Sequence, residues 1–180
     1  MDLQLTGKTA LITGGSKGLG RGTAETLAAE GCHLHLAART EADLEKARTE
    51  LMADHGVDVI IHPTDLSAGD AARELAKRTE GIDILVNCAG AIKAGNIEMI
   101  DEETWLEGWN LKIFGFINLT RAVYPAMCER GSGVIVNIIG NAGEHPAPNY
   151  ICGSVGNAAL IALTKALGAE SLDHGVCVVG

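Results

Sequence analysis

The sequence predicts an α/β protein, a Rossmann-like, doubly wound parallel sheet between two helical layers (three-layer α/β/α). Three observations carry this. Strand-like and helix-like segments alternate from end to end, the pattern of successive βαβ units. The runs "ALIT", "DILV" and "VIVNII" lack polar alternation, as strands covered on both faces do. A glycine-rich turn, "TGGSKGLG" at 13–20, follows the first strand and opens the first helix.

The elements follow in order. "KTALITG" (8–14) is a short apolar strand ending in glycine. "GLGRGTAETLAAEG" (18–31) has helical spacing and stops at Gly31, and "HLHLAAR" (33–39) alternates like a strand. An amphipathic helix, 41–56, ends at Gly56, and a strand over 57–63 ends at a proline. A helix at 68–81 leads to the buried strand "DILVNCAG" (83–90). A long helical region at 101–130, a strand at 133–139, a helix at 149–173 and a strand at 176–180 complete the chain. Right-handed crossovers then place helices on both faces of the sheet. With 180 residues, no repeat, no linker and no low-complexity tract, residues 1–180 are expected to form a single dinucleotide-binding domain. The chain closes on an apolar strand with nothing after Gly180, where such folds place a functional loop; sequence beyond that point, with a substrate loop and a last strand, is expected.

Composition narrows the partners. A content of 47% hydrophobic and 21% charged residues reads as globular. The formal net charge of -9 argues against nucleic acid and against an anionic membrane surface, though not against a local anion site. The N-terminal run is too short for a signal peptide, and no stretch reads as long enough to span a membrane. Five scattered cysteines without a C-x-x-C pair read as reduced thiols in a cytoplasmic protein. The six histidines show no metal-ligand spacing, so no metal is expected, and His33 and His35 read as ordinary strand positions.

In the glycine-rich turn, Gly14, Gly18 and Gly20 bring no Cβ and admit backbone conformations closed to other residues. A diphosphate can therefore approach the backbone and meet the N–H groups at the start of the helix. Ser16, Lys17 and Leu19 complete the turn as candidate cofactor contacts. The second strand ends "AART", with no acid to accept from a ribose 2′-hydroxyl and with Arg39 offering a guanidinium fork for a 2′-phosphate. Lys17 adds a second positive charge. These residues favour NADP(H), with NAD(H) possible.

Taken together these motifs resemble the classical short-chain dehydrogenase/reductase family, and the resemblance covers essentially the whole chain. "TGGSKGLG" matches its T-G-x-x-x-G-x-G turn, and "NCAG" (87–90) its N-N-A-G. The resemblance implies cofactor contacts at Asn87, Ala89 and Gly90, and an adenine contact at Asp65 and Leu66 in "TDL". "WNLKIFGFINLTRAV" (109–123) resembles the helix of the active-site asparagine, which falls on Asn110. "NYICGSVGNAALIALTKALGAE" (149–170) resembles the helix of the catalytic tyrosine, which falls on Tyr150. In that alignment the family's serine falls on Gly140 and its lysine, four residues after the tyrosine, on Ser154. A serine there has no charge to favour a phenolate and reaches the nicotinamide ribose only through water. Glu144 and His145, in "GEHPAPNY", are the polar residues nearest in sequence, and His145 is a second candidate acid. Such a chain is expected to be an oxidoreductase transferring hydride between NADP(H) and a small carbonyl or alcohol. The alternative is a nucleotide-binding protein with impaired catalysis. The small-residue face of the 149–173 helix predicts a homodimer or homotetramer, in which family members pair these helices.

Overall fold

The computed structural model describes residues 3–180; the Met1 and Asp2 ends of the N-terminal reading lie outside the described residues. Its strands are β1 (Thr9–Thr13), β2 (His33–Ala38), β3 (Val59–Pro63), β4 (Ile84–Asn87), β5 (Gly133–Asn137) and β6 (Val176–Val179). They form one sheet in the order β3-β2-β1-β4-β5-β6, and every neighbouring pair is parallel. The helices are α1 (Gly18–Ala29), α2 (Glu41–His55), α3 (Gly69–Arg78), α4 (Glu102–Trp109), α5 (Gly115–Arg130) and α6 (Ile151–Ser171). The Rossmann-like class read from the sequence is the observed one.

Strand parity sorts the core. Ala10, Ile12, Leu34, Leu36 and Val86 point to one side and pack against Ala24 and Ala28 of α1 and Leu44, Ala47 and Leu51 of α2. Leu11, Leu85 and Ile135 point to the other and pack against Leu75 of α3 and Leu119, Val123 and Met127 of α5. Each of these side chains is nearly or fully buried, and each Val, Leu, Ile or Met among them is worth about 1.5–3 kcal/mol relative to exposure. The expectation that every strand is covered on both sides needs one correction. Val134 and Val136 of β5 and their neighbour Cys177 are only half-buried. They belong to the α1–α2 side, and those two helices lie over the β1–β3 half of the sheet.

Several boundaries differ from the sequence reading, and three of them lie near the site. The helical region 101–130 is α4, then a π-helical turn over Asn110–Phe114, then α5. The last helix begins at Ile151, which leaves Tyr150 outside it as a cap with φ -140° and ψ 43°. β5 ends at Asn137, so 138–140 form a loop. A further correction concerns length: Ile151–His174, α6 with its closing 3-10 turn, is a 24-residue helical stretch long and apolar enough to cross a membrane. Its apolarity comes from leucine, isoleucine, valine and alanine. It packs against the sheet and α5 through residues such as Asn157, Leu160 and Thr164, and Ala158, Ala159, Ala162 and Ala166 are exposed.

Candidate functional site

β1 and β4 are neighbours from which the chain leaves in opposite directions, so a crevice opens beyond their carboxyl ends. Thr13, the last residue of β1, closes its floor. Its hydroxyl accepts from the backbone N–H of Cys88 (2.9 Å) and Ala89 (3.0 Å), tying the glycine turn to the loop after β4. Gly14 (φ +68°) and Gly18 (φ +55°) sit where L side chains are strained. A Cβ on Gly20 would run into the carbonyl of Gly14, and one on Gly14 would lie 3.1 Å from Ala89 Cα. The turn is thus a bare backbone cradle at the start of α1. Lys17 caps that helix without a side-chain hydrogen bond, so its first N–H groups have no side-chain acceptor and suit an anion. Ser16 is half-buried in the turn and Leu19 is exposed beside it. The structure therefore fits a diphosphate here. Lys17 is exposed and pairs with Asp43 at 2.7 Å.

Arg39 is exposed at the end of β2 and makes no ion pair among the described residues. With Asp65, Ser67, Lys93 and Asn110 it lines a cleft of about 740 Å³. The Ser67 N–H donates to Asp65 Oδ1 at 3.0 Å and holds that carboxyl below the usual carboxylate range, with Arg39 adding to the effect. Leu66 is buried beneath, in the α3–α5 core. Ala89 and Gly90 follow β4 on the crevice side, half-buried and exposed. Asn87 belongs to the framework instead. It is fully buried, and its Nδ2 donates to Thr120 Oγ1 (3.1 Å) and Asn137 Oδ1 (2.9 Å). Asn137 in turn donates to Thr164 Oγ1 at 2.9 Å, so a buried polar chain links β4, β5, α5 and α6. The side-chain Nδ2 of Asn87 is thus committed to the framework.

The loop after β5 and the start of α6 hold the most informative geometry. Tyr150 pairs with Gly95 in an isolated parallel bridge, and its backbone is fixed by Gly95 N→Asn149 O (2.7 Å) and Ile151 N→Gly95 O (3.2 Å). Its ring folds over Gly153: a Cβ there would fall inside the ring and 2.6 Å from the phenol oxygen. The phenol thus occupies the space that a side chain at 153 would take. Burial, then the nearby Cys152, push the Tyr150 pKa up, so the group holds its proton. One turn along the same face, Asn157 is 1% exposed, and its Oδ1 accepts from Gly140 N at 3.0 Å. A Cβ on Gly140 would lie 2.8 Å from Asn157 Nδ2.

Ser154 follows Tyr150 by one helical bond, its N–H donating to Tyr150 O at 2.8 Å. Ser154 is buried, its Oγ accepts from Ala147 N at 3.1 Å, and it lines an apolar pocket with Pro146, Pro148 and Val155. It braces that loop. Asn110, the active-site asparagine of the resemblance, is exposed in the cleft of Arg39 and Asp65. Glu144 and His145 are exposed in the loop beyond the 3-10 turn Asn141–Gly143.

What sequence reading missed is Lys112. It sits in the π-helical turn, half-buried, and its chain lies over Gly90: a Cβ there would be 2.9 Å from Lys112 Cδ and 3.1 Å from its Cγ. The turn is seated by Trp109, whose Nε1 donates to Cys152 O at 3.3 Å, and by Ile113 packed on Gly156. Desolvation lowers the Lys112 pKa, with the Cys88 thiol opposing. The sequence held a signal, since a lysine inside the apolar run "NLKIFGF" is out of pattern. Asn157 and Thr13 carried no comparable mark.

Comparison with known proteins supplies the context. A family model described as short chain dehydrogenase matches residues 8–180. The 2,3-dihydro-2,3-dihydroxybenzoate dehydrogenase of Bacillus subtilis (strain 168) is 33% identical over 176 residues, covering 96% of this chain and 67% of its own. The crystal structure of L-sorbose reductase from Gluconobacter frateurii, complexed with NADPH and L-sorbose, superposes with a TM-score of 0.94 at 32% identity, covering 99% of this chain and 69% of that one. An NAD+-bound xylitol dehydrogenase superposes with a TM-score of 0.90 at 25% identity, covering 97% and 69%. Across the first curated relatives the chain spans between 58% and 68% of their length. With the bare glycine cradle at the switch point of a six-stranded parallel sheet, and with one family model running through nearly every element from β1 to β6, the chain belongs to the short-chain dehydrogenase family, whose members are NAD(P)-dependent oxidoreductases.

Proposed function

We propose that this chain is one dinucleotide-binding domain that transfers hydride between NADP(H) and a small carbonyl or alcohol. The observation that carries the reading is the cradle. Gly14, Gly18 and Gly20 leave a backbone surface open to a diphosphate at the start of α1, at the switch point of the sheet. When bound, the nicotinamide supplies or accepts the hydride. The protein's own task is to hold the reacting carbon near it and to handle the proton. Tyr150 is the proton donor in this reading, because its phenol is presented over Gly153 and kept protonated by burial. Arg39, with no acid at the end of β2, favours the 2′-phosphate of NADP(H), and the NADPH-bound sorbose reductase is consistent with that choice. NAD(H) is a weaker ligand. Five unpaired cysteines suit a reducing, cytoplasmic setting, and the exposed Ala158–Ala159–Ala162–Ala166 face of α6 suits a homodimer or homotetramer.

A second reading, nucleotide binding without turnover, is favoured by Gly140, which offers no side-chain donor, and by Ser154, which carries no charge. The two are separated by mixing protein with NADPH and following cofactor fluorescence, then cofactor oxidation with a panel of aldehydes and diketones. Binding with turnover that is lost in Tyr150→Phe supports the oxidoreductase. Binding without turnover supports the second reading, and no binding overturns both. In the same assay Arg39→Asp is expected to reverse the preference between NADPH and NADH; unchanged affinities for both would remove Arg39 from the cofactor site.

A further inference from the structure

Gly90 and Gly140 each lie three residues beyond Asn87 and Asn137, which are paired across neighbouring strands. The two glycines therefore lie in the loops that follow two neighbouring strands. Each is covered by one polar side chain from a different element. Lys112 of the π-helical turn lies over Gly90, and Asn157 of α6 lies over Gly140. Tyr150, over Gly153, is one helical turn from Asn157 on the same face.

We propose that Lys112 and Asn157 are catalytic residues that bind the substrate oxygen, Lys112 as an ammonium and Asn157 through its Nδ2–H. This rests on the oxidoreductase reading above. Neither group is used up by the fold. Asn157 spends its Oδ1 on Gly140 N, while its Nδ2 has no hydrogen bond. Lys112 has neither hydrogen bond nor ion pair among the described residues, and the titratable group facing it is the Cys88 thiol, whose own pKa burial raises. A half-buried ammonium without a counter-charge is costly unless a ligand supplies one. The ligand it suits is an oxygen that carries or develops negative charge. In carbonyl reduction the carbon gains hydride from the reduced nicotinamide, which leaves oxidised. The C=O π pair moves to oxygen, where Lys112 and Asn157 stabilise it. The phenol O–H of Tyr150 breaks and gives that oxygen its proton, and the phenolate recovers one from water. Lys112 thus supplies the positive charge that Ser154 does not.

The test begins with wild-type protein and acetic anhydride, with acylation of each lysine followed by mass spectrometry across pH. Lys112 is expected to react at lower pH than the exposed Lys46 and Lys77. Saturating NADPH is expected to slow its acylation about tenfold while sparing those two. Acylation of Lys112 that matches the surface lysines and ignores NADPH overturns the assignment. The second arm compares variants reducing butanedione. Lys112→Met is expected to keep NADPH affinity, read by fluorescence, and to lose about a hundredfold in kcat with little change in KM, with Lys112→Arg in between. Asn157→Leu is expected to lose about tenfold in kcat. A Lys112→Met variant with wild-type kcat overturns the proposal. NADPH that binds while Lys112 proves ordinary refutes this inference alone. NADPH that does not bind wild-type protein refutes the oxidoreductase reading and this one with it.

Discussion

Gly153→Ala tests whether the Tyr150 ring is seated as described. The added methyl collides with the ring, and with the backbone of residues 149–151 bonded to Gly95 the contact is relieved by rotating the ring about its side-chain bonds. Forcing a methyl into such a contact costs about 1–3 kcal/mol. Against this, Gly153 has helical backbone in the first turn of α6, where alanine is favoured over glycine by up to about 1 kcal/mol. The net expectation is a loss of about 1–2 kcal/mol, or a Tm lower by roughly 2–8 °C for a chain of this size. In a Tyr150→Ala background the clash is gone and only the helix preference remains, so the same substitution should stabilise by about 0.5–1 kcal/mol. The sign reverses, and the coupling between the two positions is about 1.5–3 kcal/mol. Urea unfolding of the four proteins measures the cycle. A Gly153→Ala effect that is equal in both backgrounds would refute the placement of the ring over Gly153.

The geometry also bears on restoring the family's side chains. Gly140→Ser places a Cβ against Asn157 Nδ2, and Ser154→Lys buries an ammonium in the Pro146–Pro148 pocket. The pair should therefore lower stability by at least about 2 kcal/mol and fail to raise turnover, as urea melts and kcat would report. His35 and His62 stack with centroids 5.1 Å apart and share a hydrogen bond at 2.8 Å. Burial lowers both, and takes His62 from 6.5 to about 4, with His35 and Arg78 adding to it. The unfolded chain therefore takes up these protons first. Stability present above about pH 6.5 is lost as pH falls toward 4, by up to about 3 kcal/mol for His62, and His62→Phe should flatten the curve measured by urea unfolding at each pH. Self-association through α6 predicts a dimer or tetramer by light scattering at micromolar concentration, converted to monomer by Ala159→Glu with Ala162→Glu.

The alternation of apolar runs with 3.6-period segments determined the parallel α/β sheet, because both periods are local and appear in any window of the chain. The cradle was equally legible, since the spacing of Gly14, Gly18 and Gly20 between a strand and a helix is itself the chemical requirement. What only the tertiary structure decided is which side chains face the crevice. A helical residue turns by about 100° from its neighbour, so one residue of error in a helix start, or one π-helical turn, re-aims everything beyond it. The bridge from Tyr150 to Gly95 keeps the tyrosine out of α6, and so Ser154 faces Ala147 while Asn157 faces Gly140. The contacts of Trp109 and Ile113 with α6 seat the π-helical turn in which Lys112 covers Gly90 and Asn110 is left exposed. Those contacts join residues about 40 or more positions apart, and no local pattern encodes them.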